Sequence, residues 1–339
     1  MTLIADPDLS KKYAEGHVTG IWSCIACNEC FRSIEQQRQV GCAINPTAGR
    51  ELLYDYRRLE PAAQPKKVMV IGAGAAGMEA ARVAALRGHQ VTLVEKEGDL
   101  GRKLELASRL PGRKTFKDII SYYTIAFKAL GGKIEIARSS EVTPELIAEM
   151  EREDMMPDVF IVATGGSPLI PEVPGVKEKN VVTFVDVVAD EAEVGDTVVV
   201  VGANIVGCEV ALLLAYQGKR VTLVELPGFH AKSDIDALDV EGNIWTFTKQ
   251  ELQQANISLV TAEKLDKITD ESIAFVDSTG NSLSLDTETV VLSLGFTPLN
   301  ELARYLTSKG KEVYLIGDAN KPRKIKDSIY EGLVVASKI

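Results

Sequence analysis

The sequence predicts an α/β chain with two three-layer domains, the second inserted in the first, behind a short cysteine-rich segment. Three observations predict it. One block occurs twice, at an offset of 130 residues. Each copy runs from a β-branched stretch through glycines into an Ala- and Leu-rich stretch and then a second apolar run, which reads β-turn-α-β. Four of the five cysteines lie between positions 24 and 42, ahead of both copies.

The totals set limits. The chain has 339 residues, 45% hydrophobic and 25% charged, an ordinary globular composition with length for two domains. A net charge of −10 without a Lys/Arg block argues against a nucleic-acid partner. No apolar run is long enough for a membrane span, and the start "MTLIADPDLSKK" lacks the apolar core of a signal peptide. Clustered cysteines in such a chain read as a metal or cluster site, not a disulfide framework, and the expected location is the cytoplasm.

The cysteine segment comes first. "SCIACNEC" brings together Cys24, Cys27 and Cys30, and Cys42 follows in "GCAINP". Cys-x2-Cys-x2-Cys is the spacing of bacterial ferredoxin runs and suits a [4Fe-4S] cubane, with Cys42 as the fourth ligand. The alternative is structural zinc, which usually pairs one Cys-x2-Cys with a second, distant pair. Asn28 and Glu29 are expected to face solvent or a partner, and Trp22 to pack.

The repeat comes next. "VMVIGAGAAGMEAARVAALRGHQVTLVEKEG" occupies 68–98, and "VVVVGANIVGCEVALLLAYQGKRVTLVELPG" occupies 198–228. In the first copy Gly72, Gly74 and Gly77 form a G-x-G-x-x-G between strand and helix, with Glu95 about 20 residues on, the full context of a dinucleotide fingerprint. Gly72 permits the tight turn, Gly74 lets backbone approach a pyrophosphate, and Gly77 lets the helix pack on the strand. The helix N-terminus would face the phosphates, and Glu95 a ribose 2′-OH.

The second copy departs from this pattern. Between Gly202 and Gly207, Asn204 stands where the middle glycine should be, and its side chain fills space a pyrophosphate would use. Glu225 would repel a 2′-phosphate, which favours NADH over NADPH; the alternative is a retained fold with a weakened pocket. The same offset carries "IVATGGSP" (161–168) onto "VLSLGFTP" (291–298), pairing Gly165 with Gly295. Cys208 reads as a buried thiol, without a partner for a redox disulfide.

The remaining stretches give a strand near 133–137, a Pro-rich crossover at 168–176, a helix around 245–255 and a hairpin leading into a strand. The end reads strand, turn, helix, the strand returning to the first domain. There Asp318 follows Gly317, placed either to hold a sugar hydroxyl or to cap the last helix. The expected domains are 1–64, 65–172 with 297–339, and the inserted 173–296.

Together the two fingerprints, "DVFIVATGGSP" and "VYLIGDANKPR" resemble the FAD/NAD(P)-linked reductases with two Rossmann-like domains. The resemblance implies FAD at Gly72, Gly74, Gly77, Glu95, Thr164, Gly165, Gly317 and Asp318, with Lys103 and Arg113 in the bordering loop. It implies NAD(H) at Gly202, Asn204, Gly207, Glu225 and Gly295. The N-terminal part, "LIADPDLSKKYAEGHVTGIWSCIACNEC…GCAINPTAGRE", resembles the middle of the trimethylamine dehydrogenase / 2,4-dienoyl-CoA reductase family. Those chains carry an FMN-binding β/α barrel, then a [4Fe-4S] loop, then two dinucleotide domains. A barrel takes about 200–250 residues, which this sequence lacks before Met1. The expectation is a split gene with the barrel on a partner subunit, the alternative a truncated chain.

The function expected is an electron-transfer flavoprotein subunit that moves electrons between NADH, FAD and the cluster, to or from the FMN of that partner. Trimethylamine dehydrogenase itself supplies the alternative: ADP in place of FAD, and a conduit to an external acceptor such as an electron-transfer flavoprotein or a ferredoxin. A third reading is a regulatory subunit with a structural metal. No catalytic residue is assigned, since His17, His89 and His230 lie in no catalytic motif.

Overall fold

The computed structural model describes residues 1–226 and 243–339, so His230 lies outside the described residues. The chain divides into two compact units. One comprises Met1–Ser108, Thr115–Gly166 and Pro298–Ile339; the other comprises Arg109–Lys114 and Ser167–Thr297.

The first unit is built on a five-stranded parallel sheet in the order Val313–Leu315, Val159–Val162, Lys67–Ile71, Gln90–Val94, Ile134–Ala137. Its central strands are near-continuous Val, Ile and Leu because helices cover both faces. The helix Ala75–Leu86 lies along the sheet and is Ala-rich, so its backbone comes close. The closing helix Ile325–Ala336 packs on it so tightly that a Cβ on Gly332 would stand 2.5 Å from the Ala76 carbonyl. The strand Val313–Leu315 does return to this sheet, pairing with Val159–Val162.

The N-terminal segment belongs to the same unit. Ala5, Trp22, Ile25, Ala43 and Ile44 share a hydrophobic core with Val68, Val70 and Leu93 of the sheet. Buried Asp6 anchors it, accepting from the Trp22 N–H at 2.9 Å and from Lys12 Nζ at 2.7 Å. Trp22 packs edge-on against Tyr122 and Tyr56, as its packing role requires. Beneath these rings Glu79, 0% exposed, is paired with Arg82 at 2.9 Å and accepts hydrogen bonds from Tyr56 and Tyr123.

The second unit repeats the plan. Its parallel sheet runs Val181–Thr183, Thr289–Leu292, Thr197–Val201, Arg220–Glu225, Ser258–Thr261. In both sheets the fingerprint strand is central, so the sequence duplication is a duplication of topology. The expected hairpin forms from Ser272–Val276 and Ser282–Asp286, joined by Lys264–Ile268 in an antiparallel sheet. The helix near 245–255 is Asn243–Gln254. Among the described residues no helix is long and apolar enough to cross a membrane.

Candidate functional site

In the first unit the fingerprint glycines divide their work by distance. Gly72 has φ +103°, and a Cβ on it would stand 2.4 Å from the Ala163 carbonyl oxygen. A Cβ on Gly77 would stand 1.9 Å from the Gly72 carbonyl oxygen. These two are required by the packing of turn, strand and helix. Gly74 differs: a Cβ there meets nothing within 4 Å, and no side chain caps the helix that begins at Ala75. Space is therefore open over a helix N-terminus, where an anion is favoured.

The other residues assigned to this nucleotide gather at the carboxyl ends of the same sheet. Glu95 is buried and braces the turn, accepting from the Ala73 N–H at 2.7 Å and the Glu97 N–H at 2.9 Å. Asp318 lies in the short turn Gly317–Ala319, with Lys103 Nζ 3.6 Å away. Lys103 also donates to the Gly166 carbonyl at 2.8 Å, next to Gly165, which has φ +80°. Burial pushes the Lys103 ammonium below its usual range, and Asp318 opposes that push. Thr164 donates to the Leu299 carbonyl at 2.6 Å. Arg113 belongs to the second unit, where it pairs with Glu209 at 2.6 Å. An open cradle, a helix N-terminus and carboxylates at strand ends fit an adenine dinucleotide.

The second fingerprint has the same skeleton. A Cβ on Gly202 would stand 2.3 Å from the Ser293 carbonyl oxygen, and one on Gly207 1.8 Å from that of Gly202. Asn204 changes the site. Its Oδ1 accepts from the backbone N–H groups of Val206 and Gly207, both at 3.0 Å, and its Nδ2 donates to the Ser293 carbonyl at 2.5 Å. The amide oxygen thus sits where a phosphate oxygen would be bound. Glu225 ends its strand beside this turn, and Gly295, at φ +90°, has open space around it. The Ser293 hydroxyl is 1% exposed and has no hydrogen-bond partner among the described residues. The signal for Ser293 was in the repeat, where it replaces Ala163 at the same offset.

Cys24, Cys27, Cys30 and Cys42 line one concavity, with Met1, Ile4 and Ile44 completing its wall. All four are free thiols. Left-handed backbone at Ala26 and Asn28, φ +54° and +59°, turns the loop between successive cysteines. Burial pushes the Cys27 and Cys42 thiols up, and the neighbouring cysteines add to the effect. Among the described residues no three His, Cys, Asp or Glu side chains gather as a single ion would need. Tetrahedral zinc holds its sulfurs about 3.8 Å apart; a cubane is larger and needs them farther apart. Four thiols around one concavity, three of them in a Cys-x2-Cys-x2-Cys run, fit the larger group.

Glu29 corrects the expectation of a solvent or partner contact. It is 8% exposed and ion-paired with Lys324 at 3.1 Å and Lys326 at 2.9 Å. No local pattern could have disclosed partners so distant in sequence. Asn28 is exposed, and Cys208 is buried as expected, its thiol pushed up to about 12 by desolvation.

Residues 66–332 match the family model described as pyridine nucleotide-disulphide oxidoreductase. The chain belongs to that family. It is 37% identical to an NADH oxidase of Thermoanaerobacter brockii, over 99% of this chain and 50% of the relative. It is 34% identical to a metal reductase of Desulforamulus reducens, over 97% of this chain and 52% of the relative. The structure of 2-naphthoyl-CoA reductase with 2-naphthoyl-CoA superposes with a TM-score of 0.89 at 33% identity, covering 100% of this chain and 49% of that one. These relatives bear out the resemblance to the trimethylamine dehydrogenase / 2,4-dienoyl-CoA reductase family, and the chain spans about half their length. Family membership supports binding of FAD and a nicotinamide nucleotide.

Proposed function

We propose that this chain is the electron-transfer part of an NADH-dependent flavin and iron–sulfur oxidoreductase. The substrate pocket lies on an FMN-binding β/α barrel outside this sequence. The observation that carries this reading is the cysteine concavity and the first nucleotide fold in one compact unit. When bound, FAD accepts a hydride from NADH and releases electrons singly, and a [4Fe-4S] cluster carries single electrons.

The chain's own residues hold and orient these groups. Gly74 admits the pyrophosphate of FAD to the helix N-terminus, Glu95 and Asp318 face its hydroxyl groups, and Lys103 lies beside it with Thr164, Gly165 and Gly317. Gly202, Gly207, Glu225 and Gly295 frame NADH, with Asn204 at its phosphates. Cys24, Cys27, Cys30 and Cys42 hold the cluster. The site is cytoplasmic. Anaerobic addition of NADH to the cluster-replete protein tests the reading: the flavin's visible absorbance should bleach, and an unbleached flavin overturns it.

The self-capped Asn204 favours a second reading, in which the second fold binds nucleotide poorly and the first holds ADP. The chain would then relay electrons from the barrel's FMN to an electron-transfer flavoprotein or a ferredoxin. The mass of the nucleotide released on denaturation separates the two, FAD excluding the ADP form.

A further inference from the structure

We propose that Glu29, Lys324 and Lys326 form a charge clamp that positions the cysteine loop and tunes the reduction potential of the cluster it holds. The proposal rests on the iron–sulfur reading above. Glu29 lies between Cys27 and Cys30 in sequence and is nearly buried. A carboxylate there, beside thiolates, is stable only if cations answer it. Three do: Lys324 Nζ at 3.1 Å from Oε1, Lys326 Nζ at 2.9 Å from Oε2 and Arg32 Nε at 3.8 Å from Oε1.

The clamp touches both cysteine-bearing stretches. Glu29 begins the helix Glu29–Glu35, which carries Cys30, so a shift of Glu29 moves that cysteine's helix. A Cβ on Gly41 would stand 3.7 Å from Lys326 Cδ, which places the lysine stem beside the residue that precedes Cys42. Lys324 and Lys326 in turn open the helix Ile325–Ala336, which closely follows the Asp318 turn of the first nucleotide fold. One set of ion pairs therefore ties the cysteines to the element that carries Asp318.

The charges give the clamp a sign. Glu29 places a negative charge beside the cysteines, and Lys324, Lys326 and Arg32 place positive ones there. Reduction adds one negative charge to a cluster, so each cation favours the reduced form and the carboxylate opposes it. Deleting the negative charge of Glu29 should raise the potential, and deleting a lysine charge should lower it. A clamp that acted only by packing would give one sign for both, because either deletion loosens the same loop.

The test is an EPR-monitored redox titration of the cluster-replete full chain, its Glu29→Gln variant and its Lys326→Met variant, after iron and sulfide analysis. The expected result for Glu29→Gln is about a tenfold shift of the equilibrium toward the reduced form, about 59 mV for one electron. Lys326→Met should shift it by a similar factor the other way, with iron content retained in both. Shifts of one sign, or none, overturn the proposal. Should Lys326→Met lose iron, Lys324→Met takes its place, and a potential that does not fall there also overturns it. Iron-free wild-type protein would instead overturn the cluster reading itself.

Discussion

The two fingerprint regions share a sequence pattern, a sheet order and almost the same glycine distances. At the first and third glycines the clashes that a Cβ would meet are 2.4 and 1.9 Å in one copy and 2.3 and 1.8 Å in the other. The copies part at the middle position, open at Gly74 and filled by Asn204. They part again at the glutamate two residues after the last glycine. Glu79 is sealed within its unit with Arg82 and two tyrosines, whereas Glu209 meets Arg113 of a neighbouring loop. The first and third glycines, which hold turn, strand and helix together, are kept alike in both copies, and the middle position has diverged.

The largest expected effect tests the glutamates. Glu79→Ala leaves Arg82 buried without its carboxylate and should cost about 3–5 kcal/mol, read by chemical denaturation. Glu209→Ala leaves Arg113 with 24% side-chain exposure and a route to water, so about 1 kcal/mol is expected. Equal losses would break the contrast. Next come the packing glycines: Gly77→Ala and Gly207→Ala should each destabilise by about 1–3 kcal/mol, whether or not nucleotide is present. A variant of normal stability that had merely lost its nucleotide would make that glycine a ligand residue after all.

A smaller effect sharpens the difference at the middle position. Asn204→Gly removes the self-cap and should tighten NADH binding about twofold, since an Asn cap exceeds Gly by a few tenths of a kcal/mol. Calorimetric titration measures this directly, and weaker binding would recast Asn204 as a phosphate ligand. The mirror variant Gly74→Asn should weaken nucleotide retention in the first fold, read as the flavin-to-protein ratio after gel filtration. Smallest of all is the cost of Asn204→Gly to the fold itself, a few tenths of a kcal/mol at about the limit of a denaturant melt.

The parallel sheets, the inserted second fold and the returning C-terminal strand were legible because periodicity, glycine placement and the repeat are local signals. The self-cap at Asn204 was half legible. Its residue type marks a helix start, but the bond to the Ser293 carbonyl depends on a strand far along the chain. What stayed hidden were contacts fixed by tertiary approach: Glu29 with Lys324 and Lys326, Arg113 with Glu209, and Tyr56 and Tyr123 on Glu79. Each is an ordinary charged or aromatic residue in its own sequence window.

Trp22 lies two residues ahead of Cys24, its ring 4.5 Å from that of Tyr122, with the Arg82 guanidinium 5.5 Å from its centre. It is one of two tryptophans in the chain. A strongly absorbing iron–sulfur group this close in sequence would quench indole emission by energy transfer. The same packing that fixes the segment would then supply a native optical gauge, one that reports the loading of such a group without a label.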